Sequence, residues 1–263
     1  MDDSFLHTTL PVLGNRVHRL GLACNFGIDN EGIEAALGER GLGLVFWTPK
    51  QKGGEALKQA MKRKREDVVL VSGPTTAHWK GNLTRYVEKL LKRFDIESLD
   101  VLMAFWVGVT SSLSDARLRE MEDLRQSGKV RAIGCSIHDR QRAGELVADS
   151  PLDVLMIRYN AAHPGAEQDI FPHINPERPR VILAYTATRW RKLLSRPRGW
   201  DGPVMSAADC YRFCLSNPHV HAVLNGPKSL AMLDENLEGL QKGPLEASEA
   251  EWMRDFGRAV RGK

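Results

Sequence analysis

Short apolar segments alternate with longer amphipathic ones along most of the chain. The apolar segments read HRLGLAC, LGLVFW, DVVLVSG, DVLMAFW, VRAIGCS, DVLMIRYN, RVILAYT and HAVLNGP. The segments between them carry apolar residues at helical spacing, as at Leu83, Val87, Leu90 and Phe94. This alternation is typical of βα units, in which each strand is followed by a helix that covers the sheet.

Eight such units in a chain of 263 residues predict an α/β fold, a closed (β/α)8 TIM barrel. Before the first unit, TTLPVLGNRVHRLGLA predicts an N-terminal β-hairpin, because apolar arms flank the easily turned pair Gly14–Asn15. The main alternative is an open doubly wound sheet, which the lack of a GxGxxG motif after the first strand disfavours. We expect a single barrel domain over residues 1–263, because no linker or low-complexity tract interrupts the pattern.

The composition excludes several classes of function. Hydrophobic residues make up 42% and charged residues 27% of the chain, which is ordinary for a globular protein. No apolar run approaches the ~18 residues of a membrane span, and the first residues lack the basic start of a signal peptide. The net charge of +4 is small for a nucleic-acid-binding protein. We expect a cytoplasmic protein with no nucleic-acid or membrane partner and with four reduced cysteines; its oligomeric state stays open.

In such a barrel the chemistry lies where the strands end and the following loops begin. These ends are short of carboxylates and lack HExxH and CxxC motifs, so we predict neither glycoside hydrolysis nor a metal site. The residues predicted to line the mouth of the barrel are Asn25, Phe46, Trp47, Phe105, Trp106 and Asn160. Aromatic walls with a few polar groups suit a planar or apolar small molecule as the partner. The alternative is that the phenylalanines only fill the packed top of the barrel.

Several segments, taken in order, resemble the aldo-keto reductases. They are HRLGLA, GKVRAIGCSIHD, RYNAAHPGAEQDI, ILAYTATRW and NGPKSLAMLDENLEGL, and together they reach across nearly the whole chain. The resemblance implies the cofactor NADP(H). The residues that match the family's cofactor site are Ser136, Tyr185, Arg189, Lys228, Ser229, Glu235 and Asn236. By this resemblance Ser136 contacts the nicotinamide carboxamide, Tyr185 stacks on its ring, and residues 228–236 hold the adenosine and its 2′-phosphate.

The resemblance also implies that the family's proton-donating residues are missing. Its Asp, Lys and His fall on Phe46, Gly73 and Phe105. Its catalytic Tyr falls near Lys50, in a loop without a tyrosine. Loss of acid catalysis alone typically costs ~10²–10⁴ in rate. The usual route of carbonyl reduction is therefore not expected here.

Recognition of the nicotinamide is weakened in the same alignment. The Asn and Gln that bind the carboxamide fall on Ile137 and Met156, and the Arg often found near the 2′-phosphate falls on Met232. We expect that NADP(H) is bound with weakened or lost nicotinamide recognition, or not at all.

Three side chains remain as catalytic candidates: His138, Arg158 and Lys50. His138 can transfer a proton near neutral pH, whereas Arg158 can bind a carboxylate or phosphate, or pair with Glu167 as part of the structure. Three functions stay open: a repurposed enzyme or pseudoenzyme that binds or transforms a small molecule at the mouth, an NADP(H)-dependent oxidoreductase that reduces a carbonyl with a non-standard proton donor, and a non-catalytic ligand-binding or scaffold protein. The retained Tyr185 and Lys228 favour the first two, and the missing donors favour the first.

Overall fold

The strands build a two-stranded hairpin and a closed barrel. The computed structural model describes residues 3–75, 81–108 and 113–262. Its strands are β1 (His7–Thr9), β2 (Arg16–His18), β3 (Leu20–Ala23), β4 (Leu44–Phe46), β5 (Val69–Ser72), β6 (Leu99–Val107), β7 (Val130–Ile137), β8 (Val154–Arg158), β9 (Val181–Tyr185) and β10 (Ala222–Asn225). Strands β1 and β2 pair antiparallel, and β3 to β10 form a closed parallel barrel in which β10 pairs with β3. The predicted TIM barrel with an N-terminal hairpin is confirmed.

The helices cover the outside of the barrel. They are α1 (Asp3–Leu6), α2 (Asn30–Leu37), α3 (Gly54–Arg63), α4 (Leu83–Phe94), α5 (Asp115–Gln126), α6 (Arg140–Ala148), α7 (Ala166–Asp169), α8 (Ala207–Leu215), α9 (Leu230–Leu240) and α10 (Ala247–Arg261). Helices α2, α4, α5, α6, α8 and α9 each follow an Asp, Asn or Ser whose side chain accepts a hydrogen bond from the first turn. Among the described helices, none is long and apolar enough to cross a membrane.

The core has two layers, because successive residues of a strand point to opposite faces. Residues such as Val69, Val71 and Met103 point into the barrel, whereas Leu70 and Leu102 pack outward against the helices. The hairpin adds Leu10, Leu13 and Val17 to the inner layer and so closes the N-terminal end of the barrel. The opposite end, where the strands finish, is the barrel mouth.

A buried carboxylate joins three strands near the closed end. Asp100, fully buried at the start of β6, accepts hydrogen bonds from Arg65 (2.9 Å), Arg131 (2.8 Å) and the backbone N–H of Leu70 (2.9 Å). Arg131 also donates to the carbonyl of Leu13, at 2.7 Å. This carboxylate therefore connects the barrel wall to the hairpin that covers it.

The four cysteines are free and buried: Cys24, Cys135, Cys210 and Cys214. The last two stand one turn apart on α8, and Cys214 Sγ lies 3.2 Å from the carbonyl oxygen of Tyr159. Burial raises the pKa of both thiols. The pair therefore belongs to the packed core.

Candidate functional site

Two phenylalanine rings pack together inside the barrel mouth. Phe46, at the end of β4, meets Phe105 of β6 edge to face, with 5.4 Å between ring centroids. Gly73, which follows β5, lies beneath them. A Cβ atom at this glycine would overlap the carbonyl oxygen of Met103 and lie 3.0 Å from Cε2 of Phe105. Positions 46, 73 and 105 are thus one packed unit, with no space for a side chain at 73.

The end of β6 is irregular, and this places Trp106 on the rim. The pairing of β6 with β7 shifts between Ala104 and Val107, and Trp106 takes a left-handed backbone conformation with φ of 57°. Its backbone N–H donates to the hydroxyl oxygen of Ser136 at 2.8 Å, and its indole is 49% exposed. The hydroxyl of Ser136, buried at the end of β7, therefore fixes the rim and retains one hydrogen to donate.

A hydrogen bond joins His138 to Tyr185 across the mouth. The Tyr185 hydroxyl lies 2.8 Å from Nε2 of His138. Burial raises the pKa of Tyr185, and partial burial followed by the positive charge of Arg158 lowers the pKa of His138. Both groups are therefore neutral at neutral pH. A neutral hydroxyl and a neutral imidazole at this distance share one hydrogen bond, in which either group can be the donor.

Arg158 ends β8 directly beside Tyr185, its partner in the pairing with β9. Its side chain is half-buried. The expected alternative partner, Glu167, instead binds Arg254 (2.8 Å) and the Tyr159 hydroxyl (2.6 Å), so the structural pairing of Arg158 with Glu167 is wrong. In the part of the chain that the structure describes, no hydrogen bond or ion pair engages Arg158.

The structure corrects the placement of Trp47. The residue follows Phe46, which points inward, so its ring points outward and is wholly buried between the barrel and the helices. The indole packs on Phe94 with 5.1 Å between centroids, and its Nε1 donates to the carbonyl of Lys52 at 2.9 Å. Trp47 therefore belongs to the core and does not line the mouth.

Two asparagines predicted for the site are buried and form hydrogen bonds within the protein. Asn160 is fully buried, donates to the carbonyl of Thr186 at 2.9 Å and accepts from the N–H of Ala162 at 3.1 Å, so it holds the loop after β8 in place. Asn236, 6% exposed on α9, donates to Asn225 at 3.1 Å. Both side chains therefore bond to other parts of the protein, and their assignments to mouth lining and to the cofactor stay predictions.

The rim holds one aromatic residue that sequence reasoning missed. Phe26 follows the predicted Asn25 in the loop after β3, and both are exposed. The Phe26 ring lies directly over Gly226, where any side chain would overlap it. The sequence signal that could have identified Phe26 is an aromatic residue just beyond the end of a predicted strand. Lys50 also lies exposed, in the turn after β4, and no described contact joins it to His138 or Tyr185.

The loop after β9 carries a basic cluster that includes Arg189, which the resemblance assigns to the cofactor site. Thr186, Arg189, Trp190 and Arg191 all have left-handed backbone conformations, with φ between 49° and 70°. Such conformations are strained for residues other than glycine and concentrate at functional sites. The Arg189 guanidinium donates to the carbonyl of Val260 and so attaches α10 to this loop.

Beside this attachment runs an open groove of about 390 Å³. Its lining residues are Trp190, Arg191, Lys192, Ser195, Arg196, Pro197 and Val260. Trp190 is 60% exposed. An exposed ring among several cations is suited to an anionic ligand.

The start of α9 has features of a phosphate site. Ser229 caps this helix by accepting from the N–H of Met232 at 3.3 Å, and Lys228 is exposed just before it. Unpaired N–H groups at a helix N-terminus together with a lysine suit a phosphate. Glu235, which the resemblance also assigns to the cofactor site, is exposed further along α9. At the two positions that the resemblance assigns to carboxamide binding, the buried Ile137 and Met156 have no hydrogen-bonding group in their side chains.

Comparison with known proteins matches this barrel to one family. The model of the Aldo/keto reductase family matches residues 49–189, more than half of the chain. The chain belongs to the aldo/keto reductase family. The aldo-keto reductase YhdN of Bacillus subtilis (strain 168) is 25% identical over 170 residues, which are 58% of this chain and 50% of that protein. The chain thus matches about half the length of this curated relative.

Solved structures of aldo/keto reductases share the fold over nearly the whole chain. The reductase AKR11C1 from Bacillus halodurans, solved in apo and holo forms, superposes with a TM-score of 0.77 at 19% identity, covering 97% of this chain and 99% of that one. The glycerol dehydrogenase AKR11B4 from Gluconobacter oxydans gives 0.76 at 19% identity, over 99% and 98% of the two chains. At this identity the likeness establishes the barrel only.

Proposed function

We propose that this aldo/keto reductase barrel has been repurposed to bind or transform a small molecule at its mouth. The observation that carries the proposal is the packed unit of Phe46, Gly73 and Phe105. In the proposed alignment these positions hold the family's Asp, Lys and His. Phenylalanine donates no proton, and position 73 has no space for a lysine. Carbonyl reduction by the family's usual donors is therefore absent from the proposed activity.

Polar groups nevertheless remain where a ligand would sit. The His138–Tyr185 pair and Arg158 lie at neighbouring strand ends, and the exposed indole of Trp106 stands on the rim. A few convergent polar groups beside aromatic surface are typical of small-molecule sites. A scaffold without a ligand does not require these groups, so a binding or catalytic role is favoured over a structural one.

The start of α9 supports retention of the phosphate end of NADP(H). Lys228 and Ser229 would hold a phosphate, Tyr185 would lie against the nicotinamide, and Ser136 alone would contact the carboxamide. When bound, this cofactor supplies a hydride.

The cofactor proposal predicts the result of a titration. NADPH added to the protein should quench the fluorescence of Trp106 or Trp190, and Lys228→Ala should weaken its affinity about tenfold, because a charged hydrogen bond to phosphate is lost. Calorimetry checks the dissociation constant. Lys242→Ala, which changes an exposed lysine after α9, is the matched control and should leave the affinity unchanged. Equal affinity of the wild type and the Lys228 variant would remove the cofactor assignment.

A second candidate is an NADP(H)-dependent reductase in which His138 and Tyr185 provide the proton. The 2.8 Å hydrogen bond between them favours it. The same samples, mixed with 4-nitrobenzaldehyde, discriminate between the two candidates. Under the first proposal NADPH absorbance stays constant, whereas steady oxidation that His138→Gln abolishes would establish the second.

A further inference from the structure

Arg158 occupies a position in which a cation needs a counter-ion. It follows the apolar run Val154–Ile157 and points into the mouth, where it is half-buried. Partial removal of a guanidinium from water has a free-energy cost that an anion within hydrogen-bonding reach offsets. No described residue provides that anion.

The two carboxylates of α7, which follow Arg158 along the chain, are already paired. Glu167 binds Arg254 at 2.8 Å and 3.0 Å, and Asp169 binds Arg140 at 2.6 Å. Neither is available to neutralise Arg158.

Further arginines surround the same corner of the mouth. The loop residue His163, bonded to Asn160, has its pKa lowered to about 4 by burial and then by the charges of Arg158, Arg189, Arg261 and Arg140, in that order. The contacts agree with this convergence. Arg140 lies against the backbone of Gly165, two residues beyond His163, and Arg189 bonds to the residue before Arg261. These four cations, together with Arg254, exceed the two carboxylates of Glu167 and Asp169 and so produce a positive potential at this corner.

We propose that Arg158 binds the carboxylate or phosphate group of the small molecule held at the mouth. This inference rests on the proposed function and narrows it to an anionic substrate class. The planar guanidinium offers two parallel donors to such a group. The remainder of the molecule would lie on Tyr185 and Trp106, with the Tyr185 hydroxyl and His138 beside the bond nearest the anion.

The test compares three small aromatic probes of similar shape: phenylacetate, phenyl phosphate and the neutral 2-phenylacetamide. Affinities are measured by calorimetry and by tryptophan fluorescence at low salt. We expect the wild type to bind at least one anionic probe about tenfold more tightly than the amide, and Arg158→Gln to abolish this preference, because a hydrogen-bonded charge pair is lost. Whichever anion binds more tightly identifies the head group as carboxylate or phosphate.

Two further variants control the experiment. Arg119→Gln removes an exposed arginine of α5 and should keep the preference for the anion. Arg158→Lys keeps the charge but not the planar geometry with two donors. This variant should therefore keep only part of the preference for the anion. Unfolding midpoints confirm that every variant is folded.

The outcomes separate this inference from the proposed function. Equal binding of all three probes by the wild type would retain a ligand site at the mouth and overturn the anionic class. Preference for the anion that survives in Arg158→Gln would overturn the role of Arg158. A loss confined to NADPH, added as a fourth probe, would assign Arg158 to the cofactor and also overturn the inference. No binding of any probe would overturn both proposals.

Discussion

Replacing Asp100 with alanine should lower the free energy of unfolding by about 3–5 kcal/mol, the cost of breaking a buried ion pair. The change removes one acceptor from Arg65, from Arg131 and from the backbone N–H of Leu70, and the N–H becomes a buried donor without a partner. Urea unfolding followed by circular dichroism measures the loss. Asp100→Asn keeps one carbonyl acceptor and should lose less.

An exposed ion pair with a similar distance between nitrogen and oxygen is the matched control. Lys129 and Glu88 join α4 to the start of β7 at 2.7 Å, but their side chains are 38% and 53% exposed. Because solvent screens this pair, Glu88→Ala should cost about 1 kcal/mol or less. Similar losses for the two alanine variants would show that Asp100 contributes no more than a surface ion pair, in contradiction to its buried position.

The second large effect concerns Trp47. Trp47→Ala should lower the free energy of unfolding by about 3–5 kcal/mol, because it leaves a cavity between the barrel and the helices. The indole also loses its edge-to-face contact with Phe94 and the guanidinium of Arg93, which lies 4.9 Å from the ring centroid. Thermal and urea unfolding give the loss.

Trp106→Ala provides the comparison, because the sequence assigns both tryptophans to the mouth. Trp106 is 49% exposed, so its removal should change stability by about 1 kcal/mol or less. It should instead remove the fluorescence response to ligands at the rim. A Trp47 variant that keeps its stability but loses the fluorescence response to ligands would show that Trp47 lines the mouth after all.

The barrel was predictable because its signal is periodic and repeated. Each strand is a short apolar run, each helix has its own apolar spacing, and the capping residues mark where the helices begin. Trp47 was placed wrongly because all residues near a strand end were assigned to the mouth. Neighbouring residues such as Phe46 and Trp47 point to opposite faces of a regular strand, so only one of them reaches the mouth. This alternation was available in the sequence.

The rest of the site depends on contacts between distant segments. No pattern along the chain shows that Glu167 pairs with Arg254, 87 residues away, or that Asp100 bonds to Arg65 before β5 and to Arg131 on β7. The outward turn of Trp106 depends on a shift in strand pairing, which is set by hydrogen bonding to β7. Sequence reasoning therefore identified the residue types at the mouth. Only the structure shows which residues they bond to.

The packing of Phe105 over Gly73 limits the order in which substitutions can accumulate at the mouth. A side chain introduced at position 73 meets the carbonyl oxygen of Met103 and then the Phe105 ring, whereas a smaller residue at 105 leaves a void beside Phe46. Each single step lowers stability, and changing both positions still leaves the overlap of a side chain at 73 with the Met103 carbonyl. The packing at positions 46, 73 and 105 is therefore not left by single substitutions without a loss of stability.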